Sequence, residues 1–362
     1  MKKNKYLRFS LLKRCIAFTL VTSMSVLSLG EGGSWREGKN VQNERQQIVC
    51  MATEANSKQI KNIIYMIPDG GGFPSYDLTK AVKEEGGLTY KYSDQNFTGT
   101  EPTSNKMYLD DYLYGSVETK SASSDVTDSA AAGTALATGN KTNNSSVGIT
   151  SKNKPVANIL EVAQLEGKST GVIATCYQYD ATPSAFYGHS TNRENYDEII
   201  KQLKNSGVNI IMGAGLNYTR YSSSNRTSDM EKEGYVVVDT EEQLKNAVAQ
   251  VEVGGKICGA FHASAHHIPY DFAYGSNYDG IDDSSKKTPT LAEMTQYSIN
   301  ALEKDQDGFF LMVEGSKIDY AGHAGEGNNI VSEFVRFHPV INNFSDSNSL
   351  YEVIPLGNTV TL

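Results

Sequence analysis

A serine at the start of an Ala-rich run is the side chain of this sequence best placed for nucleophilic chemistry. Ser129 follows Asp128, and a run of Ala, Gly and Thr continues from it to Gly139. This pattern predicts a helix that begins at Ser129, with free backbone N–H groups and the positive end of the helix dipole around the hydroxyl. Such a position suits phosphate, although a serine there is more often an ordinary helix cap. The interpretation of Ser129 therefore depends on what the rest of the chain supplies.

Carboxylates follow short apolar stretches elsewhere in the chain. Asp69, the loop with Asp180 and Thr182, and Glu314 each come after a stretch that predicts a buried strand. Because parallel strands end at a shared edge of a sheet, these residues and Ser129 are expected to meet there. One carboxylate at a strand end is usually a solvated turn residue, but several at one edge indicate a metal site.

The ligand types indicate two kinds of metal. The oxygen-only set of Asp69, Thr182 and Glu314 suits magnesium. Asp319 and His323 are spaced i, i+4 beyond the last apolar strand, and a set that includes histidine suits zinc.

An anionic substrate would need local positive charge in this chain. Its 362 residues include 33 Lys and Arg against 42 Asp and Glu, which gives a net charge of −9. This balance argues against a nucleic-acid-binding surface, since phosphate-backbone binding needs clustered basic residues. Arg193 carries a planar guanidinium that can hold two phosphate oxygens at once.

Strands and helices alternate along the chain. Besides the Ser129 helix, the predicted helices are Pro155–Glu166, Tyr196–Asn205, Glu241–Gln250 and Thr290–Lys304. The predicted strands are Asn62–Ile67, Gly171–Cys176, Asn209–Met212, Tyr235–Val238 and Phe309–Val313. This alternation predicts an α/β fold, a three-layer sandwich with helices on both faces of a mostly parallel sheet. An irregular loop, Ala263–Lys287, is expected to cover one end of the sheet.

The first 58 residues precede the predicted fold. Six Lys and Arg residues lie among the first fourteen, and the apolar stretch Cys15–Leu29 follows, which is typical of a secretory signal. Residues 1–29 are therefore expected to be a signal peptide or N-terminal anchor, the membrane contact of an exported, secreted, periplasmic or cell-envelope protein. Residues 30–58 are expected to form a polar linker. Cys176 and Cys258 could form a disulfide or remain buried thiols.

Five segments, taken in order, resemble the alkaline phosphatase family. They are IPDGGG at Ile67–Gly72, VTDSAAAGTALATG at Val126–Gly139, DATPSAFYGHSTNR at Asp180–Arg193, PTLAEMTQ at Pro289–Gln296 and VEGSKIDYAGHAGE at Val313–Glu326. The resemblance implies hydrolysis of phosphate monoesters through a phosphoserine, with two zinc ions and one magnesium ion as cofactors. It also implies inorganic phosphate as a ligand and a homodimer as one option for assembly.

The resemblance assigns roles residue by residue. Ser129 would be the nucleophile and Arg193 the phosphate clamp. Asp69 would bridge a zinc and the magnesium, and Asp319 and His323 would bind zinc. The residues of the magnesium site or its surroundings would be Asp180, Thr182 and Glu314. His189 is expected to be structural, because the family pattern does not need it as a ligand.

The resemblance stops after Phe337. Family members continue with strands that carry an Asp-His pair and a later His, whereas residues 338–362 show no Asp-His pair and no strand or helix pattern that matches. We therefore expect an incomplete family domain, residues 59–337, that lacks C-terminal strands, followed by a non-matching tail. Such a chain would bind zinc poorly. The alternatives are a catalytically impaired remnant, or a phosphodiesterase or sulfatase of the same superfamily.

Overall fold

One sheet of seven strands organises the part of the chain that the structure describes. The computed structural model describes residues 60–84, 110, 116–216, 226–262, 267–268, 288–342 and 351–355. Its strands are β1 Asn62–Ile67, β2 Ser169–Tyr177, β3 Ile210–Ala214, β4 Tyr235–Val238, β5 Lys256–Ala260, β6 Phe309–Glu314 and β7 Tyr351–Pro355. They lie in the order β4-β5-β3-β2-β6-β1-β7, and every neighbouring pair is parallel. The prediction of an α/β fold with a parallel sheet is confirmed.

The strands are apolar because both faces of the sheet are covered. Side chains alternate between faces along a strand, so Ile64 and Met66 of β1 join one buried cluster while Tyr65 and Ile67 join the other. All six residues of β6 are buried. A strand covered on both sides reads as a continuous apolar run rather than as an alternation. The hydrophobic core is thus divided into two layers by the sheet.

Ten helices complete the described fold. They are α1 Phe73–Glu84, α2 Ser129–Thr138, α3 Ile159–Leu165, α4 Ala181–Ser184, α5 Tyr196–Asn205, α6 Arg226–Lys232, α7 Glu241–Gln250, α8 Leu291–Leu302, α9 Lys317–Ala324 and α10 Gly327–Asn342. Within the described ranges, none of these helices has the length and apolar character needed to cross a membrane.

Several predicted elements are correct to the residue, and one helix is corrected. The bounds of β1, β4, α5 and α7 agree with the prediction. The helix predicted at Pro155–Glu166 begins instead at Ile159, because the Asn158 side chain caps it in a reciprocal pair with Glu161. Pro155 lies outside the helix, in an isolated β-bridge.

Regular structure extends into the predicted tail, residues 338–362. α10 continues past Phe337 to Asn342, and β7 adds to the free side of β1, with Val353 opposite Ile64. Tyr, Val and Ile favour strands, and β1 would otherwise present unpaired N–H and C=O groups. The predicted domain boundaries remain predictions.

The two cysteines of the described region do not form a disulfide. Cys176 and Cys258 are both buried and free. Of the hypotheses left open by the sequence, buried thiols are therefore the correct one. Cys15, Cys50, the predicted signal and linker, and the loop expected at Ala263–Lys287 apart from residues 267–268 lie outside the described residues.

A glycine pair offers a test of how tightly the sheet packs at its other end. Gly308 and Gly234 have similar positive φ values, 88° and 86°. A Cβ at Gly308 would overlap the carbonyl group of Lys61, whereas a Cβ at Gly234 meets nothing within 4 Å. We predict that Gly234→Ala costs about 1 to 2 kcal/mol from backbone strain alone, and that Gly308→Ala costs roughly 3 kcal/mol or more. Urea unfolding measures both, and equal losses would contradict the close approach.

Candidate active site

The side chains predicted to do chemistry meet at the C-terminal edge of the sheet. Glu314 is the last residue of β6 and lies in register with Ile67, the last residue of β1. Asp69 comes two residues after β1, and its carboxylate Oδ2 accepts a hydrogen bond of 3.2 Å from the Ser129 hydroxyl. Asp180 follows β2 by three residues. The predicted convergence on one edge is therefore present in the fold.

The position of Ser129 is fixed by the residue before it. Asp128 is the N-cap of α2, and its Oδ1 accepts from the backbone N–H of Ala131 at 2.9 Å. Its second oxygen, Oδ2, accepts from the backbone N–H of Ser145 at 2.9 Å. The middle of α2 lies against α4, since a Cβ at Gly133 would come within 3.2 Å of Thr182 Cα. Ser129 is thus the first residue of a helix that is capped at its start and packed against α4 one turn later.

Arg193 is held between two carboxylates. Its Nη2 donates to Asp180 Oδ1 at 2.8 Å, and its Nη1 lies 3.6 Å from Asp128 Oδ2. Burial acts to lower the pKa of Arg193, but Asp180, Tyr177 and Asp128 together outweigh it, so the pKa is raised. The guanidinium is therefore a fixed cation beside the N-cap of the Ser129 helix.

Asp180 acts as the anchor of this cation. Its Oδ1 accepts from Arg193 and also from the backbone N–H of Ala181 at 2.7 Å, and its Oδ2 accepts from the Tyr320 hydroxyl at 2.8 Å. Both carboxylate oxygens are thus engaged by protein donors. Of the two roles left open by the resemblance, this geometry favours a role beside a metal site over a role as a metal ligand. Sequence reasoning missed Tyr320, although it is the neighbour of Asp319 in a matched segment.

Three oxygen-bearing side chains at this edge of the sheet are buried: Asp69, Thr182 and Glu314. Desolvation raises the pKa of Asp69, and the charges of Asp319 and Asp180 raise it further. Desolvation likewise raises the pKa of Glu314 well above its usual range, together with the charges of Asp69 and Asp180. The hydroxyls of Ser316 and Thr182 act in the opposite direction, although neither makes a well-formed hydrogen bond. Without a bound cation, negative charge on Asp69 and Glu314 is therefore unfavourable.

Two buried oxygen atoms of this group have no hydrogen-bond partner, Asp69 Oδ1 and Thr182 Oγ1. Buried polar atoms are nearly always satisfied in native proteins, so an orphan pair beside a buried carboxylate requires an explanation. Hard oxygen donors of this kind are the ligands that Mg²⁺ takes. The donor set of Asp69, Thr182 and Glu314 therefore fits the predicted magnesium site.

Asp319 and His323 lie on α9, one turn apart. Asp319 Oδ2 is 3.4 Å from His323 Nε2, and the His323 side chain is 63% exposed. The α9 backbone packs closely against the loop after β1: a Cβ added at Gly70 would lie 2.8 Å from Asp319 Cα. Within the described ranges, no three His, Cys, Asp or Glu side chains are arranged to hold a metal ion. The pair contributes two of the three or four ligands that a zinc site uses.

His189 contacts neither Asp69 nor Ser129. Its ring nitrogens face the Gly148 carbonyl and the Glu161 carboxylate. His267 is buried, and its ring packs against Tyr320 with centroids 5.7 Å apart.

Comparison with known proteins agrees with this arrangement. The family model described as alkaline phosphatase matches residues 60–350. The chain belongs to the alkaline phosphatase family. It is 34% identical over 296 residues to Alkaline phosphatase 4 of Bacillus subtilis (strain 168), which covers 79% of this chain and 58% of that protein. The chain thus spans little more than half the length of that relative.

Solved structures of alkaline phosphatases share the fold. The enzyme from Thermus thermophilus superposes with a TM-score of 0.68 at 25% identity, over 83% of this chain and 60% of that chain. A variant of TAB5 alkaline phosphatase with Mg bound in the M3 site superposes with a TM-score of 0.63 at 26% identity, over 82% of this chain and 77% of that chain. These similarities favour neither of the superfamily alternatives, a phosphodiesterase or a sulfatase.

Asp128 offers a test of how the start of α2 is held. Asp128→Ala removes the helix cap and the bond to Ser145, so we predict a loss of about 1 to 2 kcal/mol in the free energy of unfolding. Asp128→Asn keeps one side-chain oxygen for the cap and should lose less than half as much. Urea denaturation measures both variants. Equal losses would mean that the charge of Asp128, through Arg193, matters more than the cap.

Proposed function

We propose that this chain hydrolyses phosphate monoesters through a phosphoserine formed on Ser129. The observation that carries the proposal is the contact between the Ser129 hydroxyl and Asp69 at a helix N-terminus, with the Arg193 guanidinium beside it. A nucleophile, an anion-binding helix end and a fixed cation are the parts that phosphoryl transfer requires. Membership of the alkaline phosphatase family supports the same reaction.

The nucleophile is oriented by its hydrogen bond. The Ser129 O–H points at Asp69 Oδ2, which leaves the lone pairs of Oγ free to attack phosphorus. In the first step the Oγ–P bond forms and the ester P–O bond breaks, and the proton lost from the serine hydroxyl is balanced by the proton that the departing alcohol takes up. In the second step water attacks phosphorus, the P–Oγ bond breaks, Ser129 Oγ takes up one proton of that water, and inorganic phosphate leaves.

The non-bridging oxygens of the phosphoryl group are bound by two groups of this chain. The N-terminus of α2, where Asp128 takes the N–H of Ala131 but Ser129 begins the helix, would supply backbone N–H groups, and the Arg193 fork would supply paired N–H donors. Asp180 and Asp128 hold the fork in place before the substrate arrives, so little reorganisation is needed when charge develops in the transition state.

The donor set supports metal ions at this edge. Magnesium would be held by Asp69, Thr182 and Glu314, with Asp180 beside it, and zinc by Asp319 and His323 and by Asp69 near Ser129. Bound divalent ions supply a lowered pKa for the serine hydroxyl and stabilise charge on the attacking and leaving oxygens. The two orphan oxygens, Asp69 Oδ1 and Thr182 Oγ1, would gain a partner. The basic and apolar N-terminal sequence supports export as part of the same proposal.

The nucleophile assignment is tested by trapping the intermediate. Incubation of the protein with labelled inorganic phosphate, zinc and magnesium, followed by acid quench, should leave label on Ser129. Ser129→Ala should abolish it, because no other hydroxyl is placed in that contact with Asp69. Ser151→Ala, a change at an exposed loop serine, is the matched control and should label normally. Label at another residue, or in none of the three proteins, would contradict the proposal.

The role of Arg193 is tested by phosphate affinity. Arg193→Ala removes a charge-assisted pair of donors worth about 1.5 to 3 kcal/mol, so the inhibition constant for inorganic phosphate should rise roughly 10- to 100-fold. Arg193→Lys keeps the charge without the fork and should lie between wild type and Arg193→Ala. An unchanged phosphate affinity together with a lowered melting temperature would mean that Arg193 is only the partner of Asp180.

A further inference from the structure

The ring of His189 lies between two groups that can only accept hydrogen bonds. Its Nδ1 is 2.6 Å from the carbonyl oxygen of Gly148, and its Nε2 is 3.1 Å from Glu161 Oε1. A neutral imidazole carries one N–H and one lone pair. With that form, one of the two contacts would set a nitrogen lone pair against an oxygen lone pair. Both contacts are satisfied only when both ring nitrogens carry a hydrogen.

We infer that His189 is a positioning residue, held as an imidazolium at neutral pH, that fixes the loop bearing Arg193 against the segment that follows the Ser129 helix. His189 does not touch the phosphate position, so it acts through Arg193. The inference rests on the proposed function for its effect on phosphate, but the charge state of the ring stands on the contacts alone.

Residues 145–148 form a bridging segment between the Ser129 helix and the loop that carries Arg193. On one side it is tied to the helix α2, since the Gly148 N–H donates to Thr134 Oγ1 and the Ser145 N–H donates to Asp128 Oδ2. On the other side the backbone N–H of Arg193 donates to the Ser145 carbonyl at 2.7 Å. A displacement of this segment would therefore move both Ser129 and Arg193.

His189 holds the Gly148 end of the bridging segment. Val147 and Ser190 exchange two backbone hydrogen bonds of 2.9 and 2.8 Å, and the His189 ring then reaches back to the Gly148 carbonyl. The approach is close, because a Cβ at Gly148 would overlap the Gly188 carbonyl. Gln202 holds the backbone of His189 from the other side, accepting from its N–H at 2.7 Å and donating to its carbonyl at 2.9 Å.

Glu161 is the charged group that acts on the ring. The hydrogen bond that His189 donates to Glu161 raises the pKa of His189, burial lowers it, and the Gly148 carbonyl raises it again, with a net increase. Burial acts to raise the pKa of Glu161, but the His189 bond and the Asn158 N–H outweigh it, so that pKa is lowered. Glu161 belongs to the capping box of α3, which fixes its position independently of His189.

These directions define a pH window. The stabilisation from the raised pKa of His189 is fully present below its ordinary value of about 6.5 and is lost as pH rises through the raised value. The stabilisation from the lowered pKa of Glu161 is present above its ordinary value of about 4.3 and is lost as pH falls through the lowered value. The ion pair of His189 and Glu161 therefore contributes in full between about pH 4.3 and 6.5, and above that range it is lost only as the pH rises through the raised pKa of His189.

The charge state is tested by NMR of protein labelled with ¹⁵N-histidine. The chain has six histidines, and Glu161→Gln identifies His189 as the ring whose titration it moves to lower pH. We expect both nitrogens of that ring to be protonated at pH 7.5 in the wild type. Glu166→Gln makes the same charge change in the C-cap residue of the same helix and should move no ring titration. A neutral His189 ring at pH 7.5 would overturn the inference.

The positioning role is tested by inorganic phosphate binding as a function of pH. Glu161→Gln should weaken phosphate binding about three- to tenfold relative to wild type at pH 8, where its His189 is neutral, and should match wild type near pH 6, where the ring regains its proton. A purely structural defect would weaken binding equally at both values.

Arg193→Ala in the same titration separates the two proposals. If it leaves phosphate affinity unchanged, the proposed function fails. If it weakens affinity while Glu161→Gln equals wild type at pH 8, the positioning role of His189 is wrong.

Discussion

Negative charge buried at one edge of the sheet is the constraint on which the site depends. Parallel strands end together, so Asp69, Asp180 and Glu314 are brought close, and the charge of Asp180 raises the pKa of both Asp69 and Glu314. Buried carboxylates are costly without paired cations. Arg193 supplies part of the compensation, since its charge lowers the pKa of both Asp69 and Asp319. A cation bound at the remaining carboxylate oxygens, those of Asp69 and Glu314, would offset the rest of this repulsion.

The fold converts this electrostatic constraint into geometry through a few short connections. Asp180 is bound by donors from its own helix start, from Arg193 and from Tyr320, so a single carboxylate joins the end of β2 to α9. Asp128 caps the Ser129 helix and holds the bridging segment with its second oxygen. Ser129 and Arg193, the proposed nucleophile and phosphate clamp, are therefore fixed by aspartates to which the proposal gives no contact with substrate. Under the proposed function, this separation would leave Asp69 and Glu314 for metal binding.

The parts of the fold that follow from local pattern could be predicted from sequence. The Ser129 helix has a cap residue and an Ala-rich run, α5 and α7 have first-turn acids and a regular apolar spacing, and the strand ends at Asp69 and Glu314 follow buried apolar runs. The anchor of Arg193 could not be predicted, because Tyr320 lies 140 residues from Asp180 in sequence. The strand β7 was missed for a related reason, since its formation depends on the open side of β1 as well as on its own strand-favouring residues.

The account is tested most directly by a crystal structure of the chain grown with Mn²⁺ and inorganic phosphate, because manganese scatters anomalously and accepts the oxygen ligands of magnesium. The account predicts an anomalous peak among Asp69 Oδ1, Thr182 Oγ1 and Glu314, and a phosphate between Ser129 Oγ and the Arg193 guanidinium. An ordered chain with neither ligand at this edge of the sheet, at concentrations that saturate other alkaline phosphatases, would contradict it.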